Sequence, residues 1–130
     1  MAGEPILIVD DNPANLKLVS FLLSSKGYAV HTAADAVQAL SKLETLRPRL
    51  ILMDIQLPGM DGLELTRIIK ARPSLRGTLV LAVTAFAMKG DERKAIDAGC
   101  DGYVTKPIDT RELPRFVASL MSGRELGRDD

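Results

Sequence analysis

Four short runs of strand-forming residues in this chain end in side chains able to do chemistry. Ile6-Leu7-Ile8-Val9 gives way to Asp10 and Asp11, and Leu50-Ile51-Leu52-Met53 to Asp54. Leu79-Val80-Leu81-Ala82-Val83 gives way to Thr84, and Gly102-Tyr103-Val104-Thr105 to Lys106. Three carboxylates brought together repel one another and raise one another's pKa values, so a protein that gathers them usually holds a cation there. All-oxygen ligation suits a hard ion, and Mg²⁺ takes few protein ligands while keeping several waters. A carboxylate beside such an ion is a nucleophile able to form an aspartyl phosphate. The ammonium of Lys106 and the hydroxyl of Thr84 would then bind phosphoryl oxygens.

That chemistry requires the run ends to meet, which is a question of fold. Unbroken aliphatic runs such as 6–9, 50–53 and 79–83 read as strands buried on both faces. Residues 28–32 form a weaker strand. Between the runs lie amphipathic segments. Asn12-Pro13 supplies an N-cap and a first-turn proline, Leu16, Val19, Leu22 and Leu23 follow at helical spacing, and Gly27 closes the segment. Asp35 caps a second helix with Val37, Leu40 and Leu43 on one face. Leu57 to Gly62 is a turn, and Asp61 with Glu64 resembles a capping box for a helix through Leu65, Ile68 and Ile69. A fourth helix is expected over 88–98, with Ala95 and Ile96 as its thin apolar face. Asp109 or Thr110 caps the last, whose stripe is Leu113, Phe116, Val117 and Leu120. Five strands alternating with five helices predict an α/β fold, a doubly wound parallel sheet covered on both faces. In such folds ligands bind beyond the carboxyl ends of the strands, where these chemical side chains fall.

The bulk properties narrow the field. The chain has 130 residues, enough for one domain. Its 17 Lys and Arg balance 17 Asp and Glu, which argues against a nucleic-acid partner, and an aromatic share of 4% leaves no base-stacking platform. Neither a signal peptide nor a run long enough to span a bilayer is visible, so no membrane insertion is expected. The single cysteine, Cys100, can form no internal disulfide, and the cytoplasm is the expected compartment. His31 reads as a structural or surface histidine and Cys100 as a small buried residue. Residues 1–122 are read as the folded domain and 123–130 as a short flexible tail, with no output domain.

The motifs Ile8-Val9-Asp10-Asp11-Asn12, Leu52-Met53-Asp54-Ile55-Gln56-Leu57-Pro58-Gly59-Met60-Asp61-Gly62, Val83-Thr84-Ala85 and Lys106-Pro107 occur in order at the strand ends. Together they resemble the receiver domain of response regulators, the phosphoacceptor module of two-component signalling, from Ile6 to about Leu120. The segment from Ala82 to Asp91 is similar to stand-alone cell-cycle regulators of the DivK type, and to receivers fused to hybrid kinases. The resemblance implies a flavodoxin-like sheet of order 2-1-3-4-5. It implies that Asp54 is phosphorylated, that Asp11 binds Mg²⁺ directly and Asp10 through water, and that Gln56 offers a backbone carbonyl. Mn²⁺ would serve as a substitute. Lys106 would pair with the carboxylate and then the phosphoryl group, Thr84 would be the switch hydroxyl and Tyr103 the aromatic switch. Ala85 would leave the donor room to approach, and Gln56 and Phe86 would tune dephosphorylation. The implied partners are a histidine kinase or histidine phosphotransfer protein, and a downstream protein met by the last helices and strand. A monomer or weak dimer is expected.

Other classes fit less well. An aspartate-nucleophile phosphatase would want a second acid at position 56, which is Gln. A flavin mononucleotide module would want a Ser/Thr/Gly-rich loop after the first strand, where Asp10-Asp11-Asn12-Pro13 would repel phosphate. The expected activity is that of a phosphoacceptor switch and not of an enzyme acting on other substrates. A phosphorylation-independent scaffold, or a receiver module of a hybrid histidine kinase, stays open as an alternative.

Overall fold

A computed structural model describes residues 3–84, 90–106 and 108–122. Five parallel strands form one sheet: β1 (Pro5–Val9), β2 (Ala29–Ala33), β3 (Leu50–Asp54), β4 (Leu79–Thr84) and β5 (Gly102–Thr105). Their spatial order is β2-β1-β3-β4-β5, the doubly wound order expected. Among the described residues the helices are α1 (Pro13–Ser24), α2 (Ala36–Lys42), α3 (Gly62–Ala71), α4 (Asp91–Ala98) and α5 (Glu112–Ser122), with a 3-10 turn at Pro73–Leu75.

The strands divide their side chains between two cores by simple alternation. Leu7, Val9, Ile51, Met53, Val80 and Ala82 face one side, where α2, α3 and α4 pack through Ala36, Ala39, Leu65, Ile69 and Ala95. Ile6, Ile8, Leu50, Leu52, Leu81 and Val83 face the other, covered by α1 and α5 through Val19, Leu23, Leu113, Val117 and Met121. Apolar residues are therefore required on both faces through 6–9, 50–53 and 79–83, and this is why β1, β3 and β4 read as unbroken runs up to their chemical ends.

Local signals set the helix ends. Asn12 Oδ1 accepts from the N–H groups of Ala14 and Asn15, Asp35 Oδ1 from Gln38, and Asp61 Oδ1 from Glu64. Asp109, not Thr110, caps α5: its Oδ1 accepts from Arg111 and Glu112, and its carbonyl from Leu113. Helix faces depart from expectation in two places. In α2 the buried positions are Ala36 and Ala39, followed by Leu43, while Val37 is 77% exposed. In α4 the buried positions are Ala95 and Ala98, and Ile96 is 54% exposed. Both helices approach the sheet through alanines, so the bulkier neighbour one position on is turned outward. The helix expected over 88–98 is described from Asp91, after Gly90 at φ +90°; Met88 and Lys89 lie outside the described residues. Ala85, Phe86, Pro107 and the tail 123–130 lie outside them too. Cys100 is buried as expected. Among the described residues, no helix is long and apolar enough to cross a membrane.

Candidate functional site

The order of the strands puts β1 and β3 side by side, with Val9 paired to Met53. The chain leaves β1 toward β2 on one side and continues from β3 toward β4 on the other. A crevice opens where the direction of winding reverses. Asp10 and Asp11 leave β1 at this point, and Asp54 ends β3 beside them. Carboxylate oxygens of Asp10, Asp11 and Asp54 all lie within 4.8 Å of one another. Asp10 and Asp54 are buried and Asp11 is exposed.

Each buried carboxylate is held by donors on both oxygens. Asp54 Oδ1 accepts from the Gln56 N–H at 2.9 Å, and Oδ2 pairs with Lys106 Nζ at 3.1 Å. Asp10 Oδ1 accepts from the Asn12 N–H at 2.9 Å. Its Oδ2 accepts from Asn15 Nδ2 at 3.4 Å and faces Lys106 Nζ at 3.7 Å. One ammonium thus answers two buried carboxylates. Burial pushes the Asp54 carboxyl above the usual aspartate range and nearby Asp10 pushes the same way, against the Gln56 N–H and Lys106. The donor set is all oxygen, bears three negative charges and has one acid open to solvent. It suits a hexacoordinate hard cation that keeps part of its water shell.

The next strand brings the hydroxyl. Thr84 ends β4, is 1% exposed, and its Oγ1 accepts from Gln56 Nε2 at 2.7 Å. The Lys106 N–H donates to the Thr84 carbonyl at 2.7 Å, which fixes the backbone end of β5 against that of β4. All five residues expected at the strand ends therefore meet at one edge of the sheet.

Tyr103 sits apart, on β5. Its ring packs against the core beneath α2, α3 and α4, and its hydroxyl is buried without a hydrogen-bond partner among the described residues. Burial, then the carboxylates of Asp91 and Glu92, raise its phenol pKa. It lines an open groove of about 800 Å³ between α4, β5 and α5, with Glu92, Ile108, Glu112 and Phe116.

Known proteins resemble this chain in sequence and fold. The family model of the response regulator receiver domain matches residues 6–118. The chain belongs to the receiver domain family. As a receiver it is 44% identical over 119 residues to the polar-differentiation response regulators DivK of Brucella anthropi and Brucella melitensis. Those matches cover 92% of this chain and 94% of each relative. Among solved structures, the receiver domain of a sensor histidine kinase from Pseudomonas aeruginosa has a TM-score of 0.85 at 38% identity. That match covers 94% of this chain and 100% of the other, which holds a magnesium ion in its active site cleft. A CheY-like receiver from Methanospirillum hungatei has the same TM-score at 35% identity, covering 93% and 95% of the two chains. This receiver therefore has the fold that its motifs implied.

Two features of the receiver site are not visible in the sequence motifs. By sequence, Asn15 is only part of a capped helix, yet its amide reaches Asp10. The motif gives Gln56 a role through its backbone carbonyl, whereas its side chain spans to Thr84, 28 positions away. The Asn12-Pro13 start of α1 is the available signal for the first, because it puts position 15 one turn above the acids. Only the adjacency of β3 and β4 reveals the second.

Proposed function

We propose that this receiver accepts a phosphoryl group on Asp54 from the phosphohistidine of a histidine kinase or phosphotransfer protein, with Mg²⁺ bound at the acids. The observation that carries this reading is the Asp54–Lys106 contact of 3.1 Å inside a set of three mutually close carboxylates. Asp11, open to solvent, and Asp54 would bind the ion directly, Asp10 through water, and the Gln56 backbone carbonyl would complete the protein's share. Mn²⁺ would occupy the same oxygens. The ion supplies neutralisation of charge as the phosphoryl group approaches.

The chain's own residues do the rest. The Gln56 N–H and Lys106 hold the Asp54 carboxylate in one orientation before the donor arrives. A new bond forms from Asp54 oxygen to phosphorus as the donor's phosphorus–nitrogen bond breaks, and its electron pair leaves with the imidazole. Lys106 then turns from carboxylate to phosphoryl oxygen. Thr84 Oγ1 moves toward the same group. Tyr103 follows, re-shaping the groove between α4, β5 and α5 for a downstream protein.

The likeness to polar-differentiation regulators supports a place in cell-cycle phosphorelay signalling, with residues 1–122 as the receiver unit, acting in the cytoplasm as a monomer or weak dimer. Incubation with Mg²⁺ and acetyl phosphate, followed by intact-mass measurement, tests the chemistry. One added phosphoryl group on the wild type and none on Asp54→Asn is the expected result. No gain by the wild type overturns the reading.

A further inference from the structure

The geometry points to Asn15 as a positioning residue of the cation site, holding Asp10 in place through its side-chain amide. This inference rests on the Mg²⁺ reading above. Asp10 Oδ1 is fixed by the Asn12 N–H, leaving Oδ2 to choose its company. On one side stands Asn15 Nδ2 at 3.4 Å, on the other Lys106 Nζ at 3.7 Å. The two donors pull the same oxygen from different elements, α1 and the end of β5. With Asn15 cut back, only the ammonium remains, and a full charge attracts a carboxylate more strongly than an amide does. Asp10 would swing toward Lys106, out of the orientation that Asn15 holds, and compete with Asp54 for the lysine.

Asn15 is built to resist this. The Asn12 cap, which accepts from the N–H of Asn15 itself at 3.2 Å, fixes the backbone of the first turn of α1. The half-buried side chain is thereby presented to Asp10 from a rigid element. A neutral donor fits this role, because it orients the carboxylate without cancelling the charge the cation needs. Partners of metal ligands commonly contribute 10–100-fold in affinity. A long bond to an acid that acts through water belongs at the low end, about tenfold.

The test is calorimetric Mg²⁺ titration of the full chain without phosphodonor, as a cycle of wild type, Asn15→Ala, Asp10→Ala and the double variant. Urea unfolding in EDTA accompanies it. About tenfold weaker Mg²⁺ binding by Asn15→Ala, with no further loss when Asp10 is already alanine, is the expected pattern. Unchanged binding by Asn15→Ala, or an equal loss in both backgrounds, overturns the positioning role and leaves the metal site standing. Should Asn15→Ala lose metal-free stability, Asn15→Ser separates folding from positioning: it keeps a short polar side chain in the first turn but falls short of Asp10. Binding as weak as that of Asn15→Ala supports the role, and binding at the wild-type level overturns it. A wild type that binds no Mg²⁺ overturns the metal reading itself, and this inference with it.

Discussion

Gly62 is the residue through which α3 leans on the end of β3 at Asp54, and replacing it with alanine sets two opposed effects against each other. Alanine in place of glycine ordinarily favours a helix by up to about 1 kcal/mol. Here, however, a Cβ would lie 2.3 Å from the Asp54 carbonyl oxygen and 2.8 Å from Ile55 Cα. Carbon–oxygen contacts relax to about 3.3 Å, so helix and strand must part by roughly 1 Å. Both obstructing atoms are backbone and cannot rotate aside. Overpacking of this kind costs about 1–3 kcal/mol, which set against the full helix gain leaves a net loss of up to about 2 kcal/mol. The displaced strand end also carries Asp54, and a misplacement near 1 Å can slow a reaction by up to about a hundredfold. Gly77→Ala is the control, since nothing lies within 4 Å of a Cβ there. It should be neutral, or more stable by up to about 1 kcal/mol. Urea unfolding gives the stabilities, and the rate of phosphorylation by acetyl phosphate reports the site. A Gly62→Ala variant as stable and as reactive as Gly77→Ala would refute the reasoning.

Mg²⁺ at about a hundredfold excess over its Kd should stabilise the wild type by about 2.7 kcal/mol in thermal unfolding, and Asp11→Ala should abolish the effect. In EDTA, Asp11→Ala should melt above the wild type, because it removes repulsion among the acids. The Asp54 carboxyl is raised by burial, so the folded state holds its proton more tightly than the unfolded state. No penalty exists at acid pH; it develops as pH rises through the ordinary aspartate range and is complete above the folded-state pKa. In EDTA, Asp54→Asn should therefore be more stable than wild type at neutral pH, with the advantage fading as pH falls; an advantage independent of pH would contradict the assignment. Burial also pushes the Cys100 thiol up, so it should resist iodoacetamide at neutral pH until urea unfolds the chain, as followed by mass.

The strands and their terminal acids were legible because each constraint is written locally. A strand sandwiched between two helical layers must be aliphatic at every position, and Leu50 to Met53 can serve few other purposes. The order of those strands came through motifs at their ends, not through periodicity. Helix faces were harder. Hydropathy favoured Val37 and Ile96, but α2 and α4 approach the sheet on Ala36, Ala39, Ala95 and Ala98, where the small side chain permits close contact. Polar partnerships across the sheet were least visible. The Gln56–Thr84 hydrogen bond joins residues 28 apart, and neither side chain announces the other. Asn15 was hidden differently: helix capping already accounts for its neighbourhood.

The lysine that answers the buried acids enters from the edge strand, 52 positions beyond Asp54. During synthesis, the three carboxylates are all present well before their counter-charge emerges. Docking β3 against β1 at that stage would bring like charges together before Lys106 can answer them, which disfavours early closure of the acidic end of the sheet. A divalent cation in the surrounding solution can take the place of the missing ammonium and let that end form earlier. An ion bound by these acids would then also act as a helper in the maturation of the nascent chain.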